Sequence, residues 1–116
     1  MKNDLAIMFQ NDMYACSVKY REKTRRTPVR YHQMIQRLGG VGAARDLALA
    51  PGFQTGLEKA AEHDCIDLTS EYLIVYGDNG NYQTLFSDDV VAAARKKLQA
   101  LYQYRDALKG RKNASR

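Results

Sequence analysis

The pair Gly39-Gly40, with Val41-Gly42-Ala43-Ala44-Arg45 behind it, and the segment Asp67-Leu68-Thr69-Ser70-Glu71 constrain this chain more than anything else in it. Both read as helix punctuation. Glycine reaches the left-handed conformation that closes a helix at little steric cost, so Gly39-Gly40 ends one helix before a short one resumes over residues 41–49. A hydroxyl or carboxylate just ahead of an apolar run accepts the free amides of a helix's first turn. Asp67 or Thr69 therefore opens a short helix through Tyr72, Leu73 and Val75. A chain punctuated in this way is a string of helices joined by tight turns.

The other signals extend that pattern. Asn3 or Asp4 caps a first helix, in which Leu5, Met8, Phe9, Met13, Cys16 and Tyr20 recur at three- and four-residue steps as one apolar face. Thr27-Pro28 supplies a capping hydroxyl and then a proline at the first helical position, where its missing N–H is not needed. Tyr31, Met34, Ile35 and Leu38 form the apolar side of that helix. After Pro51-Gly52, the run Thr55-Gly56-Leu57-Glu58 fits a capping box ahead of a helix to about His63. Ser87-Asp88-Asp89 places a cap and two acids at the positive end of the longest helix. Its stripe is Val90, Val91, Ala94, Leu98, Leu101 and Leu108, with Arg95, Lys96 and Lys97 beginning the solvated side and Gly110 at the end. Residues 1–108 are then a single helical domain and 109–116 a basic flexible tail. One stretch is ambiguous: Tyr72 to Tyr76 and Tyr82 to Phe86 flank Gly77-Asp78-Asn79-Gly80, which also suits a β-hairpin. The expected fold is all-α, a compact bundle of five or six helices with a long C-terminal helix, and a short β-hairpin over 72–86 is the alternative.

A chain of 116 residues, 45% hydrophobic, can bury one core without staples. It has no run of about 18 apolar residues, so no membrane span is expected. Met1-Lys2-Asn3-Asp4 lacks the apolar run of a signal peptide, which makes the cytoplasm the expected compartment. Cys16 and Cys65, without CxxC spacing, are expected as reduced thiols.

The net charge is +5, and its distribution says more than its size. Residues 19–37 carry Lys19, Arg21, Lys23, Arg25, Arg26, Arg30 and Arg37 against the single acid Glu22. The tail is also basic, whereas Glu58, Glu62, Asp64, Asp67 and Glu71 make the middle acidic. Such separation suits docking on a polyanion or on an acidic protein. The expected function is a non-enzymatic binding module that contacts DNA or RNA through phosphates, using Lys23, Arg25, Arg26, Arg30, Arg37, Lys96, Lys97 and the tail. The alternative is a protein-interaction module (an accessory, inhibitor or adaptor) that meets an acidic partner or pairs as a homodimer. Tyr14, Tyr20, Tyr31, Tyr102 and Tyr104 lie among these cations, either as stacking and anchoring groups or as half-buried boundary residues.

Catalytic chemistry finds little footing. The only histidines are His32 and His63. Arg26 and His32 have a spacing like that of HEPN-type ribonucleases, where a cation steadies phosphate and histidine moves a proton. Here Thr27 and Pro28 interrupt the pattern. His63-Asp64-Cys65 with Asp67 lacks the second pair that zinc would want. No phosphate-binding loop, dinucleotide fingerprint or nucleophile elbow is present, so neither cofactor nor metal is expected.

Taken in order, Met34-Ile35, Gly39-Gly40, Ala43-Ala44-Arg45, Gly52-Phe53, Asp67-Leu68-Thr69-Ser70-Glu71, Leu85-Phe86 and Ala94-Arg95-Lys96-Lys97-Leu98 resemble a family of small bacterial all-helical proteins. Similar segments also occur at the C-termini of larger bacterial proteins. The resemblance covers roughly Phe9 to Leu101. It implies an all-helical fold, favours helix over hairpin at 72–86, and implies no particular activity. The loop at residues 77–81 departs from the family pattern by being longer or more turn-like.

Overall fold

The computed structural model describes residues 2–53 and 55–114. These residues form α1 (Lys2–Thr24), α2 (Val29–Leu49), α3 (Thr55–Glu62), a 3₁₀ turn (Ile66–Leu68), α4 (Ser70–Tyr76), a second 3₁₀ segment (Gly77–Leu85) and α5 (Asp88–Ala114). No strand occurs among the described residues, so the architecture is all-helical with a long C-terminal helix.

α2 is two helices in sequence. Gly39 has φ 76° and ψ 166°, which breaks the hydrogen-bond ladder where the Gly39-Gly40 pair led us to expect it. The break also serves packing. A Cβ on Gly40 would stand 2.8 Å from the Gln10 backbone of α1, and the Gly40 amide donates to Gln10 Oε1 at 2.9 Å. Only glycine lets the two helices touch there.

Residues 72–85 lie in α4 and the second 3₁₀ segment, and the turn residues are used differently from a hairpin. Thr69 caps α4, accepting from the Tyr72 amide at 3.2 Å. Asp78, Asn79 and Gly80 then take three successive left-handed conformations, with φ 49°, 56° and 86°. Asx residues tolerate that region better than other side chains do. The turn carries the chain back so that Tyr82 packs under α4. A Cβ on Gly77 would meet Tyr82 at 2.6 Å and Leu73 at 2.7 Å. Tyr82 is wholly buried, edge-on to Phe9 at 5.1 Å, and its hydroxyl donates to Asp12 Oδ2 at 2.5 Å. Phe86 also meets Phe9, with ring centroids 5.3 Å apart. Phe9 is therefore the hub joining α1 to the second half of the chain.

The buried face of α1 runs through Phe9, Met13, Ser17, Tyr20 and Thr24, so Met8 lies outside it, exposed. Two members of this face are polar because each returns its hydroxyl to its own helix. Ser17 donates to the Tyr14 carbonyl and Thr24 to the Tyr20 carbonyl, both at 2.8 Å. Proline 28 occupies the cap position of α2 rather than its first turn, and no side chain caps that helix. Thr55 is the first residue of α3 rather than its cap.

On α5, Val90, Ala94, Leu98 and Leu101 are buried as a stripe. Position 97 falls on that stripe at helical spacing from 94 and 101, so Lys97 is turned inward, contrary to its expected place on the solvated side. The helix also continues through Gly110 to Ala114 instead of ending at the glycine. Part of the expected tail is thus helical, and residues 115–116 lie outside the described residues. Lys109 and Arg105 both pair with Asp64, at 3.6 and 3.4 Å, and fasten α5 to the end of α3. Among the described residues no helix is long and apolar enough to cross a membrane.

Candidate functional site

The α1–α2 corner gathers the cations. α1 ends as Arg25 enters the left-handed region with φ 61° while its amide still donates to the Arg21 carbonyl at 2.8 Å. The Thr24 hydroxyl, donating backwards, accepts from the Arg26 amide at 3.2 Å. The chain therefore turns sharply, with Arg21, Lys23, Arg25, Arg26 and Arg30 all exposed to solvent. Left-handed backbone at a residue with a Cβ costs about 1–2 kcal/mol. The corner accepts this strain at a residue whose charge is exposed.

None of Lys19, Arg21, Lys23, Arg25, Arg26, Arg30 or Arg37 has a carboxylate within 4.0 Å among the described residues. The carboxylates that do pair engage Arg45, Lys59, Lys97, Arg105 and Lys109 instead. Among the described residues, then, no ion pair within 4.0 Å engages the cations of the corner. Arg37 lies seven residues after Arg30 on the same helix, about 10 Å further along its axis. Lys96 is exposed on α5, on a different helix. Lys97 differs from all the others. Its ammonium donates to the Leu47 carbonyl at 2.5 Å and stands 4.0 Å from Glu71 Oε2, with the side chain 11% exposed.

Beside the corner a cleft of about 570 Å³ opens. One wall is the linker and first turns of α2, with Arg26, Val29 and Arg30; the other is the end of α2 and the start of α3, with Leu47 and Leu57. Both halves of α2 can line it because Gly39 bends the helix. At the buried end stand Tyr31, Ser70 and Glu71. Glu71 is 1% exposed. Ser70 Oγ donates to its Oε1 at 3.0 Å, but Oε2 has no hydrogen-bond partner. The Tyr31 hydroxyl has none either. Burial pushes the Glu71 carboxyl up from its usual value, against the pull of its own backbone amide, Lys97 and Ser70, and burial likewise pushes the Lys97 ammonium down.

The sequence shows Glu71 only as one of the acids of the middle segment and gives Ser70 no role of its own. A signal was there to read: Glu71 precedes Ile74 and Val75 by three and four residues, which places it on the apolar side of α4.

The remaining chemical candidates are held by ordinary packing. His32 Nε2 is 2.8 Å from Ser17 Oγ. Because the serine proton is committed to the Tyr14 carbonyl, the histidine ring N–H donates to the serine. His32 lies between the rings of Tyr14 and Tyr31, with centroids at 5.7 and 6.2 Å, while Arg26 stands in the exposed linker. His63 is exposed, and among the described residues no group of three or more His, Cys, Asp or Glu is placed to hold a metal. Cys65 is buried and Cys16 half-buried; both are free thiols pushed up by burial. Of the tyrosines, Tyr20 is buried and donates to the Gly56 carbonyl at 3.1 Å, and Tyr102 is half-buried beneath Arg105. Tyr76 is the exposed one.

No protein-family model, curated protein or solved structure matches the chain.

Proposed function

We propose that this protein is a non-enzymatic binding module that holds nucleic acid through its phosphates, using the α1–α2 corner. The observation that carries the reading is the set Lys23, Arg25, Arg26 and Arg30, exposed on one turn and without intramolecular carboxylate partners among the described residues. Exposed cations without such partners keep a counterion cost that a polyanion relieves on binding. Arg37 would extend the contact along α2, and Lys96 would add to it from α5. Lys97 stays with Leu47 and Glu71. Phosphate contacts of this kind give affinity with little sequence preference. The test is binding to DNA and RNA strands across a salt series, with and without residues 109–116.

A second reading has its own observation. Ile7, Met8 and Val18 are exposed on α1, Ile7 and Val18 by 59% and 58%. Apolar surface of this kind supports a protein contact, either with an acidic partner that also meets the corner or with a second copy of the chain. Sedimentation at rising protein concentration separates these two, because only self-pairing changes the mass of the isolated protein.

A further inference from the structure

The cleft beside the corner has an apolar interior and a cationic opening. Val29, Met34, Leu47, Leu57 and Leu68 supply its apolar wall. The hydroxyls among them are already donated within the fold. Ser17 donates to the Tyr14 carbonyl, Tyr20 to the Gly56 carbonyl, Thr69 to the Ile66 carbonyl and Ser70 to Glu71. Glu71 is 1% exposed, its carboxylate held between Ser70 and Lys97, and the Tyr31 hydroxyl is enclosed by protein. Thr27 and Thr55 are exposed and belong to the opening. A sugar or a nucleobase seated inside would therefore leave polar edges unpaired, which is costly in an apolar setting. The body of a fitting ligand is apolar throughout.

The opening sets the other end of the ligand. Arg26 and Arg30 line it, both exposed and both without a carboxylate within 4.0 Å among the described residues. α2 begins between them with no side-chain cap, so the positive end of that helix adds to the two guanidinium groups. Asp46 also lines the cleft, but its carboxylate pairs with Arg45 at 3.5 Å. At about 570 Å³ the space is within the range of small-ligand sites. We propose that the cleft binds a free alkyl carboxylate of fatty-acid type, with its chain along Met34, Leu47, Leu57 and Leu68 and its head on Arg26 and Arg30. A planar carboxylate matches the fork of a guanidinium, and the chain asks for no hydrogen bond.

The test is calorimetric titration of the full chain at neutral pH with octanoate, decanoate and dodecanoate, each kept below its micelle-forming concentration. One chain binds per protein, and each added methylene tightens binding about fourfold. Dodecanol and dodecylammonium bind about tenfold more weakly than dodecanoate, or worse, because they lack the charge-assisted contact. Changing Arg26 and Arg30 together to glutamine, at exposed positions outside the core, brings dodecanoate down to the level of dodecanol. Ala50→Phe, on the half-buried wall, fills the space and removes binding, with a melting curve to check that the fold holds. Equal affinity for octanoate and dodecanoate, or for dodecanoate and dodecanol, overturns the assignment, as does an unchanged affinity in the double arginine variant. Several chains per protein would show detergent-like adsorption and also overturn it. Vesicles of phosphatidylglycerol that bind the protein while dodecanoate does not would overturn it in favour of a membrane surface. The site is independent of the phosphate contacts: strand binding without dodecanoate binding overturns the cleft ligand alone, and dodecanoate binding without strand binding supports it while overturning the nucleic-acid reading.

Discussion

Replacing Lys97 with methionine removes the cation that faces Glu71 and leaves a carboxylate 1% exposed with no opposite charge within 4.0 Å among the described residues. At 4.0 Å, and with the effective dielectric of about 20 that suits partly buried protein charges, the lost attraction is about 4 kcal/mol. Breaking buried ion pairs from one side generally costs about 3–5 kcal/mol. The Leu47 carbonyl also loses its donor. For a chain of this length each kcal/mol moves the melting temperature by about 4 °C, so Lys97→Met melts roughly 12–20 °C below the parent at neutral pH. The pH trend has a definite sign. Burial raises the Glu71 carboxyl in the folded state, so the contribution of the proton is present at low pH and lost as the pH rises through the folded value. The deficit of Lys97→Met therefore narrows as the pH falls from about 7 towards the ordinary glutamate range near 4.3. Adding Glu71→Gln to Lys97→Met removes the stranded charge and restores at least half of the lost stability. Calorimetry on the three proteins at several pH values measures all of this. A single-variant cost under about 1 kcal/mol at neutral pH would refute the reasoning, because a pair that matters electrostatically cannot lose a partner so cheaply.

Three more outcomes follow from the geometry. Arg25→Gly relieves about 1–2 kcal/mol of left-handed strain. Against the roughly 0.5–1 kcal/mol that glycine's extra freedom costs, the melting temperature holds or rises while strand affinity falls. A parallel fall in both would show that Arg25 acts through the fold. Gly77→Ala drives a Cβ to within 2.6 Å of Tyr82, an overpacking worth about 1–3 kcal/mol by urea titration. Cys65, buried and pushed up, reacts with a chromogenic disulfide reagent only after denaturant is added, whereas an immediate reaction would contradict its burial.

The punctuation of the chain was legible because it depends on local stereochemistry. Gly39 breaks α2, Thr69 caps α4 and Asp88-Asp89 open α5, each for reasons contained within a few residues. What escaped depends on partners distant in sequence. Lys97 reads as part of a basic run until Leu47 and Glu71 are brought to it from other helices. Gly110 reads as a terminator, yet Asp64 reaches Lys109 and Arg105 from across the α3–α5 contact, and the helix runs on. The turn at residues 77–80 was recognised as a turn, but its left-handed course is set by the burial of Tyr82 against Phe9. Of the candidate site, the cationic corner was visible in composition alone. The cleft was not, since its walls come from separate stretches of chain and its buried end includes a residue that reads as one acid among several in the middle of the chain.

Affinity for a single strand as a function of salt tests the central claim most directly. It should be measured for the parent and for a protein with Lys23, Arg25, Arg26 and Arg30 changed to glutamine. The account predicts that log affinity falls linearly with log salt for the parent. It also predicts that the slope shrinks by about 0.7 for each of the four cations that meets a phosphate. A parent that fails to bind at low salt, or a variant with the parent's slope, would contradict it.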